Sequence, residues 1–224
     1  MKRQVSLEEI SDGRLYGRHD MVRVGCGGCR GCSVCCHGMG NSAILDPLDV
    51  HRLLQGTGQP IEALLTNWIE LNVVDGVILP NLKMSGENEA CGFLTPEGRC
   101  GIHSFRPGVC RLFPLGRYYE REDRTSFHYF LQVNECPAPN KTKIRVEKWL
   151  EQPDLARYEE YILKWHNFLE QVEDLVAGEQ DETAVKNINL YVLKLFYMKI
   201  YDPEEDFYMQ FETRLEAARD VLGM

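Results

Sequence analysis

Five cysteines fall within eleven residues, Cys26, Cys29, Cys32, Cys35 and Cys36, in the run CGGCRGCSVCC. Thiolates are soft ligands, and the glycines among them leave the backbone free to turn several sulfurs toward one point. That is the local arrangement a soft metal ion or an iron–sulfur cluster needs. Four more sulfurs follow, Cys91, Cys100 and Cys110 in CGFLTPEGRCGIHSFRPGVCRLFPL and Cys136 in NECPAP. All nine cysteines are candidate metal ligands. The stretch TPEG predicts a turn that lets Cys91 and Cys100 face one another across a hairpin. Pro137 keeps the loop carrying Cys136 from continuing as a strand.

The spacing Cys26-x2-Cys29-x2-Cys32-x3-Cys36 reproduces the bacterial cluster run C-x2-C-x2-C-x3-C, with His37 where that run has proline. In such runs the last cysteine serves a second cluster, which would point the neighbours Cys35 and Cys36 at different sites. Eight thiolates suffice for two [4Fe-4S] clusters or for two tetrahedral zinc sites. The expected cofactor is therefore an iron–sulfur cluster, one or two, with Zn2+ as the alternative.

A disulfide framework fits poorly. Adjacent residues hold their Cα atoms ~3.8 Å apart, short of the ~4.4–6.8 Å of an unstrained disulfide, so Cys35 and Cys36 are ill placed to pair. The opening stretch MKRQVSLEEISDGRLYG carries no apolar core of export-signal length. Reduced thiols in a cytoplasmic protein are the expectation.

Several neighbours admit plainer roles. His37 is read as a histidine bonded to nearby backbone, and Arg106 and Arg111 either fix loop carbonyls or neutralise an anionic centre. Phe93, Phe105 and Phe113 are read as a dry shell around the sulfurs.

The positioning elements define an α+β protein: a small cysteine-rich module of short hairpins and helices, followed by an α-helical C-terminal layer. The divisions are an N-terminal extension, 1–25, a cysteine-cluster module, 26–140, and a helical region packed on it, 141–224. Asp46 caps a helix with Pro47 at its first position, ended by Gly56 or Gly58. A second helix starts at Pro60, with Ile61, Leu64, Leu65, Trp68 and Ile69 on one face. Asp75-Gly76 turns a hairpin in VVDGVILP. RYYEREDRTSFHYFLQV forms another, with Phe127, Tyr129 and Leu131 on its buried face. After Pro153 an amphipathic helix runs from Tyr158 to Val176 and closes at Gly178, followed by helices over 183–200 and 203–222, the last capped by Asp202.

The formal charge of -9 leaves no basic excess for a nucleic-acid backbone, so nucleic acid is not an expected partner. The most apolar late segment, INLYVLKLFYMKIY, carries two lysines and falls short of the ~20 residues of a spanning helix, so no membrane is expected. Gly56-Thr57-Gly58 lacks the strand, spacing and lysine of a phosphate loop.

The series Cys29-x-x-Cys32-x-x-Cys35-Cys36, Cys91, Cys100-Gly-Ile-His, Arg106-Pro107-x-x-Cys110-Arg111-x-Phe113-Pro114 and Cys136 resembles the YkgJ-type cysteine-cluster family over residues 26–137. The resemblance implies a zinc- or iron-chelating module with eight ligands: Cys29, Cys32, Cys35, Cys36, Cys91, Cys100, Cys110 and Cys136. Cys26 extends the run beyond the family pattern, and His103 stands where tyrosine is frequent. Flagellin lysine N-methylases carry a similar cluster, which implies a third reading, S-adenosylmethionine-dependent methyl transfer to lysine. The functions expected are an iron–sulfur protein for electron transfer or in support of a partner's modification chemistry, a zinc-stabilised binding module, or that methylase. The first two call for a protein partner, such as a redox or modification enzyme.

Overall fold

Local signals around residue 46 build the first long helix. In this computed structural model, which describes residues 6–27, 32–120 and 124–224, a short N-terminal helix α1 (Leu7–Ile10) precedes strands β1 (Ser11–Tyr16) and β2 (Met21–Gly25). Helix α2 (Pro47–Thr57) begins in a capping box: Asp46 Oδ1 accepts the Asp49 N–H at 2.9 Å, and Asp49 Oδ2 accepts the Asp46 N–H at 3.2 Å. Gly58, at φ 65°, closes it in the left-handed region that glycine adopts without cost.

Helix α3 (Ile61–Asn67) follows Pro60. It is shorter than its apolar face predicts, because Ile69 is drawn into the ladder of β3 (Ile69–Val74) with β4 (Val77–Leu82), opposite Leu82. Asp75 and Gly76, both at positive φ, make the expected two-residue turn. A short pair, β5 (Met84–Ser85) with β6 (Ala90–Cys91), leads to α4 (Gly108–Leu112). Strands β7 (Leu115–Tyr119) and β8 (Phe127–Gln132) form the expected hairpin, whose residues 121–123 lie outside the described residues. Strand β1 pairs with the free edge of β8, giving the order β1-β8-β7. Because β8 is central, Tyr129 and its neighbour Phe130 are both buried, and one buried face does not describe it.

Strand β9 (Thr142–Arg145) pairs with β2 and runs into α5 (Val146–Leu150). Thus residues 11–25, ahead of the cysteine run, supply two strands; residues 1–5 lie outside the described residues. Helix α6 (Leu155–Gly178) buries Tyr158, Tyr161, Ile162, Trp165, Phe168 and Val172, the stripe read from its periodicity. Helix α7 (Glu182–Leu193) passes into a π-helical turn, Lys194–Met198, rather than running regularly to residue 200. The Arg214 guanidinium reaches the carbonyls of Leu195, Lys199 and Ile200 there, satisfying the freed acceptors. Helix α8 (Phe207–Leu222) starts four residues later than the Asp202 cap predicts. Asp202 instead accepts the Glu204 N–H in a turn, while Asp206, gripped by both Arg157 guanidinium nitrogens at 2.6 and 2.7 Å, caps the helix.

Two hydrophobic clusters result. The larger joins α2, α3, β3 and β4 to α6, α7 and α8. The smaller gathers Tyr16, Val22, Val24, Leu112, Leu115, Tyr129, Val146 and Leu150 from β1, β2, α4, the β7–β8 hairpin and α5. The mixture of helices and small antiparallel sheets, with helices last, is the α+β class the patterning predicts. Among the described residues no helix is long and apolar enough to cross a membrane.

Candidate metal centre

The segment carrying Cys35 and Cys36 is a single 3-10 turn, Val34–Cys36, fastened on both sides. His37 bridges to Ala90, and the Gly38 N–H donates to the Glu89 carbonyl at 3.0 Å, which lays the turn against β6 and its Cys91. Downstream, the Leu45 N–H donates to Pro80 O at 2.9 Å and the wholly buried Asn81 amide donates to Gly40 O at 3.1 Å. The β3–β4 hairpin is thereby the platform for the cysteine loop. His37 bonds through Nδ1 to the Ser33 carbonyl at 2.9 Å, the backbone role its sequence context suggests.

Cys91 and Cys100 do not face one another across the TPEG turn. Thr95 N–H donates to Arg99 O at 2.8 Å, so the turn closes on Leu94 and Cys100, whereas Cys91 pairs with Met84 one hairpin earlier. The two sulfurs reach the same space from neighbouring hairpins. Cys110 arrives on α4, whose first N–H, from Gly108, is held by Asp49 Oδ1 at 2.7 Å. The Arg111 guanidinium donates to the carbonyls of Ser104, Arg106 and Glu151 at 2.7, 3.1 and 3.1 Å, locking the 100–106 loop to the end of α5. Of the two arginines weighed as charge neutralisers, Arg111 is thus a backbone clamp.

These elements enclose a cavity of about 510 Å³. Among the described residues seven cysteines line it: Cys26, Cys32, Cys35, Cys36, Cys91, Cys100 and Cys110. Cys29 lies outside the described residues. Cys136 is half-buried in the connection between β8 and β9 and does not line the cavity. Phe113 does line it, whereas Phe93 stacks on Trp68 and Phe105 packs against Gly56, so the aromatic shell expected of three phenylalanines is supplied here by one. Among the described residues no three His, Cys, Asp or Glu side chains converge as a mononuclear ion site.

The thiols feel one another. A hydrogen bond from Cys36 pulls Cys35 down to about 7, and the same bond, with burial and the neighbouring sulfurs, pushes Cys36 up. Burial raises Cys91, Cys100 and Cys110, the last well above the ordinary thiol range. The Arg106 guanidinium acts in the opposite sense on Cys35 and Cys100. A group of desolvated, mutually repelling thiols ionises together only when a cation enters, because metal coordination deprotonates a thiol outright. The donor set is all sulfur, which suits zinc or iron–sulfur iron. The residues present therefore fit a thiolate-bound metal centre.

Sequence reasoning missed Asp49, Lys148 and Trp149. Asp49 was legible as the third residue of a capping box; nothing in the pattern around Lys148 or Trp149 pointed to the cavity.

Residues 28–137 match the family model CxxCxxCC, described as a "putative zinc- or iron-chelating domain". The match supports metal binding by this segment. Neither the comparison with curated proteins nor that with solved structures found a match.

Proposed function

We propose that the cysteine module holds an iron–sulfur centre, [4Fe-4S], one cluster or two, and serves electron transfer or a partner protein's modification chemistry. The observation that carries this reading is the number of thiols at one cavity: among the described residues seven cysteines line it, more than the four a single zinc takes. A single zinc draws four thiolates to ~2.3 Å from one centre, whereas a cubane takes each thiolate on a separate iron. The ligand candidates at the cavity are Cys26, Cys32, Cys35, Cys36, Cys91, Cys100 and Cys110; Cys29, outside the described residues, and Cys136, in the β8–β9 connection, complete the nine. When bound, such a cluster supplies one-electron chemistry. The chain's own residues hold it in place, and Arg106 offsets its negative charge.

The family description gives zinc equal standing, and a zinc-stabilised binding module is the second reading. No feature of the cavity favours lysine methylation, and that reading is not carried further.

Anaerobic purification followed by iron, zinc and acid-labile sulfide analysis tests the proposal. The expected sample is brown, contains iron and sulfide, and bleaches with dithionite. Colourless protein with stoichiometric zinc and no sulfide, made under iron-replete conditions, replaces the redox reading with the zinc module.

A further inference from the structure

The cavity lies along the seam between the two hydrophobic clusters, and its walls differ in chemistry. Cys91, Cys100 and Cys110 lie with Met84, Ile102 and Val109 against the larger cluster, whereas Cys26 follows Gly25 of β2, the partner of Thr142 in β9. β9, α5 and the residue after it contribute Ile144, Lys148, Trp149 and Glu151 to the lining, along with Phe113. No cysteine follows Cys136 in the chain, so β9 and α5 have no sulfur to offer a metal. The Trp149 indole is fixed by its Nε1–H, which donates to the Phe113 carbonyl at 3.2 Å, and this leaves a rigid apolar surface.

Charge is distributed unusually here. The chain is acidic overall, at -9, yet among the described residues the cavity lining holds Arg99, Arg106, Arg111 and Lys148 against a single carboxylate, Glu151. Arg111 is committed to three carbonyls, and Arg106 to Glu151, His103 and the sulfurs. Lys148 and Arg99 have no side-chain hydrogen bond or ion pair among the described residues. A concave site with rigid apolar walls and a few convergent cations focuses negative charge. Its 510 Å³, shared with the metal centre, is of the order of small-molecule sites, ~300–1,000 Å³.

We propose that the cavity binds a small organic anion with an apolar body. The body lies on Ile144, Trp149 and Phe113, the carboxylate faces Lys148, and Arg99 adds to the attractive field. This deepens the metal-centre reading and rests on it, since the metal accounts for the cysteines and leaves Ile144, Lys148 and Trp149 for a reactant beside the centre. The alternative role for these cations, balancing thiolate charge alone, predicts no anion site.

The test is isothermal titration calorimetry on metal-loaded protein with two probes, 1-naphthoate and its neutral analogue 1-naphthamide, and metal analysis of the same samples. Saturable binding of naphthoate is expected, with naphthamide at least about tenfold weaker. Lys148→Gln should weaken naphthoate about tenfold and leave naphthamide unchanged, while Lys186→Gln, on α7, changes neither. Absence of naphthoate binding, equal affinity for both probes, or equal behaviour of the two lysine variants overturns the proposal. Failure of binding with the metal retained sinks this inference alone. Samples without iron or zinc sink the metal reading, whatever the calorimeter records.

Discussion

Asp49 Oδ1 accepts the Gly108 backbone N–H at 2.7 Å, across 59 positions of sequence. Asp49 is 2% exposed, and its other oxygen completes the capping box with Asp46. One carboxyl thereby starts α2 and also fixes the entry of α4, two residues before Cys110. Tyr161 joins the same cluster, its hydroxyl donating to Asp46 Oδ1 at 3.1 Å. The position of the most strongly desolvated thiol is therefore set from outside the cysteine motifs.

Replacing Asp49 should loosen Cys110 and cost stability. Asp49→Ala leaves the buried Gly108 donor unmet, a loss of about 1–3 kcal/mol, while Asp49→Asn keeps an acceptor and should cost about 1. Burial, and then repulsion from Asp46, raises Asp49 to about 8. An unfolded aspartate titrates near ~3.9, so the folded state holds an extra proton between those values. Stability from this group is full below about pH 4 and is lost as pH rises through about 8. Thermal melts across pH 5 to 8.5 should fall more steeply for wild type than for Asp49→Asn. Parallel pH curves would show that the pair does not hold this proton.

Gly108 is needed for a second reason. A Cβ there would run into the Tyr158 hydroxyl, which itself accepts from Arg117 at 3.0 Å. Gly108→Ala should destabilise by roughly 1–3 kcal/mol, as overpacking does. Tyr158→Phe removes the obstructing oxygen, so the double variant should lose less than the sum of the single losses. Additive losses in denaturant titrations would mean that the hydroxyl is not what excludes the side chain.

The α2 cap, the Asp75-Gly76 turn and the α6 stripe were legible because each depends on residues a few positions apart. What escaped the reading depends on distant partners. Ile69 left its helix for a strand because Leu82 pairs with it, and the α8 start moved to Asp206 because Arg157 grips that carboxylate. The same holds at the site. Motif spacing identified the cysteines, but it could not tell that Cys91 and Cys100 arrive from separate hairpins, that Cys136 stands off the cavity, or that Trp149 forms a wall.

The metal-free thiols should differ in reactivity by position. Cys35, pulled to about 7 by the Cys36 hydrogen bond, holds a thiolate at neutral pH, whereas burial keeps Cys91, Cys100 and Cys110 protonated. Iodoacetamide at pH 7.5, followed by peptide mass spectrometry, should modify Cys35 well before Cys110, and metal loading should protect both. First labelling at Cys110 would contradict the proposed pair.

Metal removal should act on the seam rather than on the whole molecule. The buried residues of the larger cluster include no cysteine, and α6, α7 and α8 pack there on α2 and the β3–β4 hairpin. Cys91, Cys100 and Cys110 pack against that cluster, while Cys26 follows β2 of the smaller one, so thiolate ligation would staple across the two. Cys100→Ser should accordingly lower metal content, while His166→Ala should leave it near wild type, because His166 stacks on Tyr119 and does not line the cavity. In chelated protein, amide exchange should accelerate in residues 84–113 and in β9 and α5, with α6 to α8 retaining protection and most of the helical circular dichroism. Loss of protection in α6 to α8 in step with the cysteine loops, or no change in either region, would refute a seam held by metal.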